Sequence, residues 1–359
     1  MSGEHSVLYG APALAIAIAR YTEVWFTPLG LGEGLMTAFT NLSDGAKYPL
    51  KLMSNLKNEL DQRFDQFAHG KLSIQDVLSK PDDLAVYTLA SLLQEKPKSA
   101  DVVPGLGTFG PVLSPGELGS RSDLPIGAGM GSSAAIVAAT TVLFEGLLKR
   151  PKTEEERLDR VRFCERLRHG KVGPIDAAAV VRGGLVRVEK TEDRAKNISL
   201  PDDHDIVTGE GWYWVLQGRP ICSTGECVSA VAAAHGDDDA LWAEFIACTE
   251  EFENKLLAGG NLSDAITANQ RLLERIGVVP GATQAFVREV EAIGGAAKLC
   301  GAGAVRGDAG GMILVRLDDK DAMEALMSNH AELSWDKLQM SPKGAEHGPA
   351  PKPVVGFDR

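Results

Sequence analysis

The run Leu124-Pro125-Ile126-Gly127-Ala128-Gly129-Met130-Gly131-Ser132-Ser133-Ala134-Ala135 constrains this chain more than any other stretch, because a glycine-dense turn passes through two serines into a long apolar helix. Glycines at 127, 129 and 131 let backbone N–H groups approach an anion without obstruction by Cβ. The first turn of the helix adds unpaired N–H donors and a positive dipole end. Ser132 and Ser133 are placed to add hydroxyls to a phosphate or its metal ion. Pro125, Gly127, Gly129, Gly131, Ser132, Ser133 and Ala134 are therefore candidate ligand-binding residues. The lysine of a GxxxxGK[ST] loop is absent, so this is not a Walker A turn. A tight structural turn uses glycines the same way, and the run alone leaves both readings open.

The chain has 359 residues, enough for two domains or one large two-lobed unit with a substantial core. Its net charge of −12 argues against a nucleic-acid partner, which requires clustered Lys and Arg, but not against a nucleotide held by backbone amides and a cation. Met1-Ser2-Gly3-Glu4-His5 lacks the basic region of a signal peptide, and no apolar run reaches spanning length. A cytoplasmic protein without membrane association is expected. Five cysteines form no CxxC pair, and the seven histidines show no HExxH or HxxxH spacing. Reduced thiols, with no structural or catalytic transition metal, are the expectation.

Along the chain, residues 5–28 suggest strands around a turn, with a short helix at 11–16. An amphipathic helix is expected over Asp82–Glu95, with Leu84, Val86, Leu89, Leu92 and Leu93 on its buried face. A Gly/Pro-rich stretch at 103–119 leads into a strand and the glycine loop. The next helix, about 132–148, is apolar nearly all round and should be buried. Thr153-x-x-Glu156 forms a capping box that starts a helix running to about Arg168. Strands follow at 184–189, 211–217 and 310–316, and helices at 228–257, 263–276 and 319–329. The proline-bearing tail from Ser341 should be loosely held. Strands and helices mix without regular βαβ spacing, which favours an α+β fold. The expected division is 1–190, 191–340 and a flexible tail 341–359.

A second constellation, Glu165-Arg166-Leu167-Arg168-His169-Gly170-Lys171-Val172-Gly173-Pro174-Ile175-Asp176, places one carboxylate near a helix end and another after a glycine-proline turn. Phosphoryl transfer uses one carboxylate for Mg²⁺ and another beside the acceptor hydroxyl. A surface glutamate and a helix N-cap would give the same pattern. A third run, Lys298-Leu299-Cys300-Gly301-Ala302-Gly303-Ala304, is dense enough in small residues to lie against a ligand or another backbone.

Together these blocks resemble the GHMP kinases: galactokinase, homoserine kinase, mevalonate kinase and phosphomevalonate kinase. Pro125-x-x-x-Gly129-x-Gly131-Ser132-Ser133-Ala134 is similar to their phosphate loop, and Gly3-Glu4-His5-Ser6-Val7-Leu8-Tyr9-Gly10-Ala11-Pro12-Ala13-Leu14-Ala15 to the opening block of the mevalonate kinase branch. The resemblance implies an N-terminal ribosomal-protein-S5-like lobe that binds ATP, a ferredoxin-like C-terminal lobe, and ATP and acceptor in the cleft between them. It implies Ser133 and Glu165 as Mg²⁺ ligands, Asp176 as the catalytic aspartate, and His5, Thr224, Gly301 and Gly303 on the acceptor side. The implied reaction phosphorylates the primary hydroxyl of mevalonate, for isoprenoid precursor synthesis. Phosphomevalonate or another small hydroxy acid as acceptor, and a silent nucleotide-binding homologue, remain open, as does a homodimer.

Two departures stand out. The Pro-Gly-Lys strand that such kinases carry just before the Gly-Glu-His block is absent; a start assigned too far downstream is expected to explain this, with Lys171 or Arg219 as alternative sources of positive charge. Val305-Arg306-Gly307-Asp308-Ala309 interrupts the third glycine run, where Arg306 can reach a phosphate or Asp308 can turn the chain.

Overall fold

The computed structural model describes residues 1–29, 34–40, 42–43, 45–95, 113–125, 129–170, 172–189 and 194–348. Gly127 and Lys171, and the end of the chain beyond 348, lie outside them. The strands are β1 (Pro12–Ile16), β2 (Thr22–Pro28), β3 (Gly34–Phe39), β4 (Lys47–Pro49), β5 (Gly116–Ser122), β6 (Leu185–Glu189), β7 (Arg194–Ile198), β8 (Trp212–Leu216), β9 (Ala296–Leu299), β10 (Met312–Arg316) and β11 (Ser334–Lys337). With the helices between them they make the α+β fold that the sequence suggests. Among the described residues no helix is long and apolar enough to cross a membrane.

The chain forms two compact units that interleave in sequence. One comprises Met1–Arg20, Leu124–Ser132 and Gly173–Gly344; the other comprises Tyr21–Asp123, Ser133–Val172 and Ala345–Arg359. Neither coincides with 1–190 or 191–340. The reason is strand pairing: β1 is antiparallel to β6, which in turn pairs with β7, so the chain's first strand is completed by residues from the far side of position 173.

In the first unit, β1-β6-β7 forms one sheet and β11-β8-β10-β9 another. Both contribute to one core, in which Leu14 and Leu185 join Trp212, Trp214 and Leu314. Residues 11–16 are strand rather than helix, because Pro12 to Ile16 pair in register with Glu189 to Leu185. The helix expected over 228–257 is two helices, Thr224–His235 and Asp239–Leu257. Asp238 makes the break, its side chain accepting from the Leu241 N–H to cap the second helix. The segment beginning at Ser341 is not loose at its start. Ser341 is buried, its N–H donates to the Ala17 carbonyl, and its own carbonyl accepts from Gly184.

In the second unit the sheet order is β2-β5-β3-β4, with β3 and β5 parallel. Leu35, Phe39 and Leu118 from the sheet pack with Val86, Leu89 and Phe144 from helices. The expected amphipathic helix exists as Asp83–Gln94, but its residues from Asp83 to Leu92 are all buried. A sequence with only five leucine and valine side chains on one face reads as half-exposed, whereas packing on both sides covers its small and polar positions too. The Ser132–Leu147 helix and the capping box of the Glu154–His169 helix are as expected: the Thr153 side chain accepts from Glu156 N–H and the Glu156 carboxylate from Thr153 N–H.

Candidate functional site

Two groups of candidate residues exist, one in each unit. In the second unit, Ser133 stands in the first turn of the Ser132–Leu147 helix, and Glu165 in the last turns of the Glu154–His169 helix. These helices are fastened together by Arg157, whose Nε and Nη2 donate to the Glu145 carboxylate at 3.0 and 2.7 Å. Glu145 is almost fully buried, so this is a desolvated clamp rather than a solvent-exposed pair. The reading of Glu165 as a surface glutamate fails, since its side chain is 1 % exposed.

His169, one turn beyond Glu165, joins the two. Its Nε2 lies 3.3 Å from Ser133 Oγ and 3.8 Å from Glu165 Oε1. Burial, followed by the charge of Arg168, lowers its pKa to about 4, so the ring is neutral at physiological pH and adds no positive charge beside these oxygens. Arg166 is engaged elsewhere, donating to Asp61 and Tyr87 and stacking on Phe163 at 3.7 Å. A hydroxyl and a carboxylate oxygen are the hard donors that Mg²⁺ accepts, and two protein ligands leave the rest of an octahedron to phosphate and water. The residues fit such a cation. His169 went unassigned in the sequence; its spacing of four from Glu165, one helical turn, was the available signal.

In the first unit the candidates gather about the loop Cys300–Ala304. Gly129 and Gly131 have φ of 78° and 70°, and a Cβ built on either would meet no atom within 4 Å. The backbone there is open to a ligand, and only glycine adopts both conformations without strain. Gly301 faces the same turn: a Cβ built on it would lie 3.8 Å from the Gly129 carbonyl oxygen. Gly303 is explained by packing, because a Cβ there would stand 2.2 Å from the Val278 carbonyl. Pro125 is half-buried and Ala134 fully buried, the latter anchoring the helix rather than presenting a functional group.

His5 is buried, and its Nε2 donates to the Ala302 carbonyl at 3.0 Å. Thr224 is exposed at the start of its helix, one residue after the capping Ser223. Cys222 and Cys227 on either side pack on Ala302 and Ala304, and the Cys227 thiol donates to the Gly303 carbonyl. The same loop thus touches the turn that carries Thr224. Arg306 is committed to an exposed ion pair with Glu226 at 2.9 Å.

Asp176 is the third residue of the Pro174–Arg182 helix; Gly173 occupies the N-cap, so the capping role does not apply. Its neighbour Ile175 packs against Val7, Ala13 and Val188, which ties this helix to the segment just after His5. Asp176 is exposed, and its side chain makes no hydrogen bond or ion pair among the described residues. Protein atoms crowded around it still remove enough water to raise its pKa above the usual carboxylate range.

Lys298 opens the third glycine-rich run, and its sequence context alone assigns it no role. It is fully buried in β9, and its Nζ meets Glu4 Oε1 at 2.6 Å. Burial opposes both charges; the mutual attraction wins, holding Glu4 at about 2 and raising Lys298. A lysine inside Ala-Ala-Lys-Leu was the signal available beforehand.

Residues 87–184 match the GHMP kinases N terminal domain. A mevalonate kinase of Thermococcus onnurineus is 29 % identical over 188 residues, 52 % of this chain and 48 % of the relative. The matched stretch therefore spans about half the length of that protein. The chain is also similar in structure to a mevalonate kinase of Methanococcus jannaschii, with a TM-score of 0.71, 18 % identity and 95 % of each chain covered. A mevalonate kinase of L. major in complex with R-mevalonate gives a TM-score of 0.64 at 19 % identity, covering 94 % of this chain and 93 % of that one.

Proposed function

We propose that the chain acts as a GHMP kinase, transferring the γ-phosphoryl group of ATP to the primary hydroxyl of mevalonate to give 5-phosphomevalonate and ADP. The observation that carries this reading is the unpartnered Asp176 carboxylate with its raised pKa. A carboxylate kept without a partner in the first turn of a helix is free to take a hydrogen bond from an alcohol. The Gly3–Ala15 block and the mevalonate kinases among the relatives support mevalonate as the acceptor.

In this reading the backbone at Gly129 to Ser132 donates N–H groups to the phosphates, and Ser133 and Glu165 hold Mg²⁺. The cation, when bound, neutralises charge on the phosphate oxygens. Phosphoryl transfer has a loose transition state, so the protein's work is mostly alignment. Asp176 orients the hydroxyl and accepts its proton late, because a carboxylate is a weak base toward an alcohol.

ADP release should be measured with mevalonate, phosphomevalonate and related branched hydroxy acids. Mevalonate is expected to give the highest kcat/KM. Asp176→Asn should lower kcat by roughly 10²- to 10⁴-fold with little change in the KM for ATP. Silence with mevalonate alongside turnover of another acid would overturn the acceptor, and an Asp176→Asn variant of normal kcat would overturn the mechanism.

A further inference from the structure

The Thr224–His235 helix starts with a capping box, in which the Ser223 side chain accepts from Glu226 N–H and the Glu226 carboxylate from Ser223 N–H. The residue before such a cap and the fourth residue of the helix commonly close over it with two apolar side chains. Here both positions are cysteine. Cys222 and Cys227 pack with Ala304 in one small buried cluster, each thiol within reach of the other. A contact of side chain on side chain is the arrangement from which a disulfide forms without a long backbone movement. The same two sulfurs hold a loop: Cys222 Sγ donates to the Arg306 carbonyl and Cys227 Sγ to the Gly303 carbonyl, both at 3.4 Å. Cys248 and Cys300 belong to two other core clusters, and Cys164 to the second unit.

We propose that Cys222 and Cys227 are a modification site, oxidised by a hydroperoxide to an intramolecular disulfide that closes the first turn of this helix and frees the loop Gly303–Arg306. Cys222 attacks first, being 8 % exposed against 0 % for Cys227. Burial pushes the Cys227 thiol up to about 11, which keeps it protonated until its partner has reacted. The Cys222 thiolate takes the outer peroxide oxygen, the O–O bond breaks, and an alcohol leaves with the proton that Cys222 gave up. The Cys227 sulfur then attacks the sulfenic sulfur of Cys222; an S–S bond forms, the S–O bond breaks, and water leaves with the Cys227 proton. The two sulfurs lose the two electrons that the peroxide gains. A disulfide carries no S–H, so both hydrogen bonds to the loop are lost. Thr224 lies between the two cysteines along the chain, so the change falls on the candidate acceptor side. That consequence rests on the kinase reading, whereas the disulfide itself does not.

The reduced full chain is treated with hydrogen peroxide and its free thiols are counted after denaturation; they should fall from five to three. Cleavage after Glu226 should then leave the fragments bearing Cys222 and Cys227 joined until a reductant is added. An unchanged thiol count, a bond to a different cysteine or a bond between two chains overturns the site. In Cys227→Ser the reaction should stop at a Cys222 sulfenic acid, which a cyclic diketone traps; a trap found only on another cysteine overturns Cys222 as the first to react. The oxidised protein should show a KM for mevalonate raised about fivefold and a KM for ATP unchanged, reversed by dithiothreitol and absent from Cys222→Ser/Cys227→Ser. Equal changes in both KM values, or the same rise in the double variant, overturn the link to the acceptor side. A protein that forms the disulfide yet never turns over mevalonate overturns the proposed acceptor and leaves the modification site standing.

Discussion

Glu165 belongs to a helix that is charged along most of its length, yet its own side chain is 1 % exposed. Removing a carboxylate from water without a strong reason is unfavourable, and such positions concentrate at working sites. Glu165→Gln keeps the shape and removes the charge. It should raise the Mg²⁺ concentration needed for half-maximal ATP binding by roughly tenfold, consistent with losing a charged interaction of about 1–3 kcal/mol. Calorimetric titration of ATP at several Mg²⁺ concentrations measures this; an unchanged Mg²⁺ dependence would remove Glu165 from the cation site. At this scale the spacing in the sequence singled out Glu165 and Asp176 as candidates. It did not show what each one touches. Lys298 lies 294 residues from Glu4, and nothing local to either marks the pair.

Among elements, the most legible was the start of the Glu154–His169 helix. Its capping box uses Thr153 and Glu156, three residues apart, so all the information is local. Thr153→Ala should destabilise the protein by about 1 kcal/mol, the usual cost of losing a cap, and leave the Mg²⁺ dependence unchanged because the helix bearing Glu165 is still fastened to its neighbour by the Arg157–Glu145 clamp. Chemical denaturation reads the first effect; a shift in Mg²⁺ dependence would show instead that the helix start sets the position of Glu165. Residues 11–16 form a strand rather than a helix, and the Asp83–Gln94 helix, present where expected, is buried on more than its expected face, for one physical reason. Local periodicity reports one face of an element, whereas pairing with β6 and packing on several sides were settled by residues distant in sequence.

At the scale of the whole molecule, the Glu4–Lys298 pair ties the first residues of the chain to β9, and this gives the fold a pH signature. The folded pKa of Glu4 is about 2 against an ordinary 4.5. A depressed carboxylate pKa stabilises the fold above the unfolded value, and that contribution is lost as pH falls through the folded one. Melting temperature should therefore drop between pH 4.5 and 2 more steeply in the wild type than in Glu4→Gln. Equal acid slopes in the two proteins would mean that the pair carries none of this dependence.

The sequence by itself determined the α+β class, the glycine turn leading into a buried helix, and the capped helix bearing Glu165, because each is written in residues close together. Only the tertiary structure decided that the two compact units interleave, that the loop Cys300–Ala304 gathers His5, Gly129 and the turn of Thr224, and that Lys298 is paired inside the protein. Those features depend on strand pairing and burial between distant segments. They are chosen by the free energy of the assembled core rather than by any local pattern.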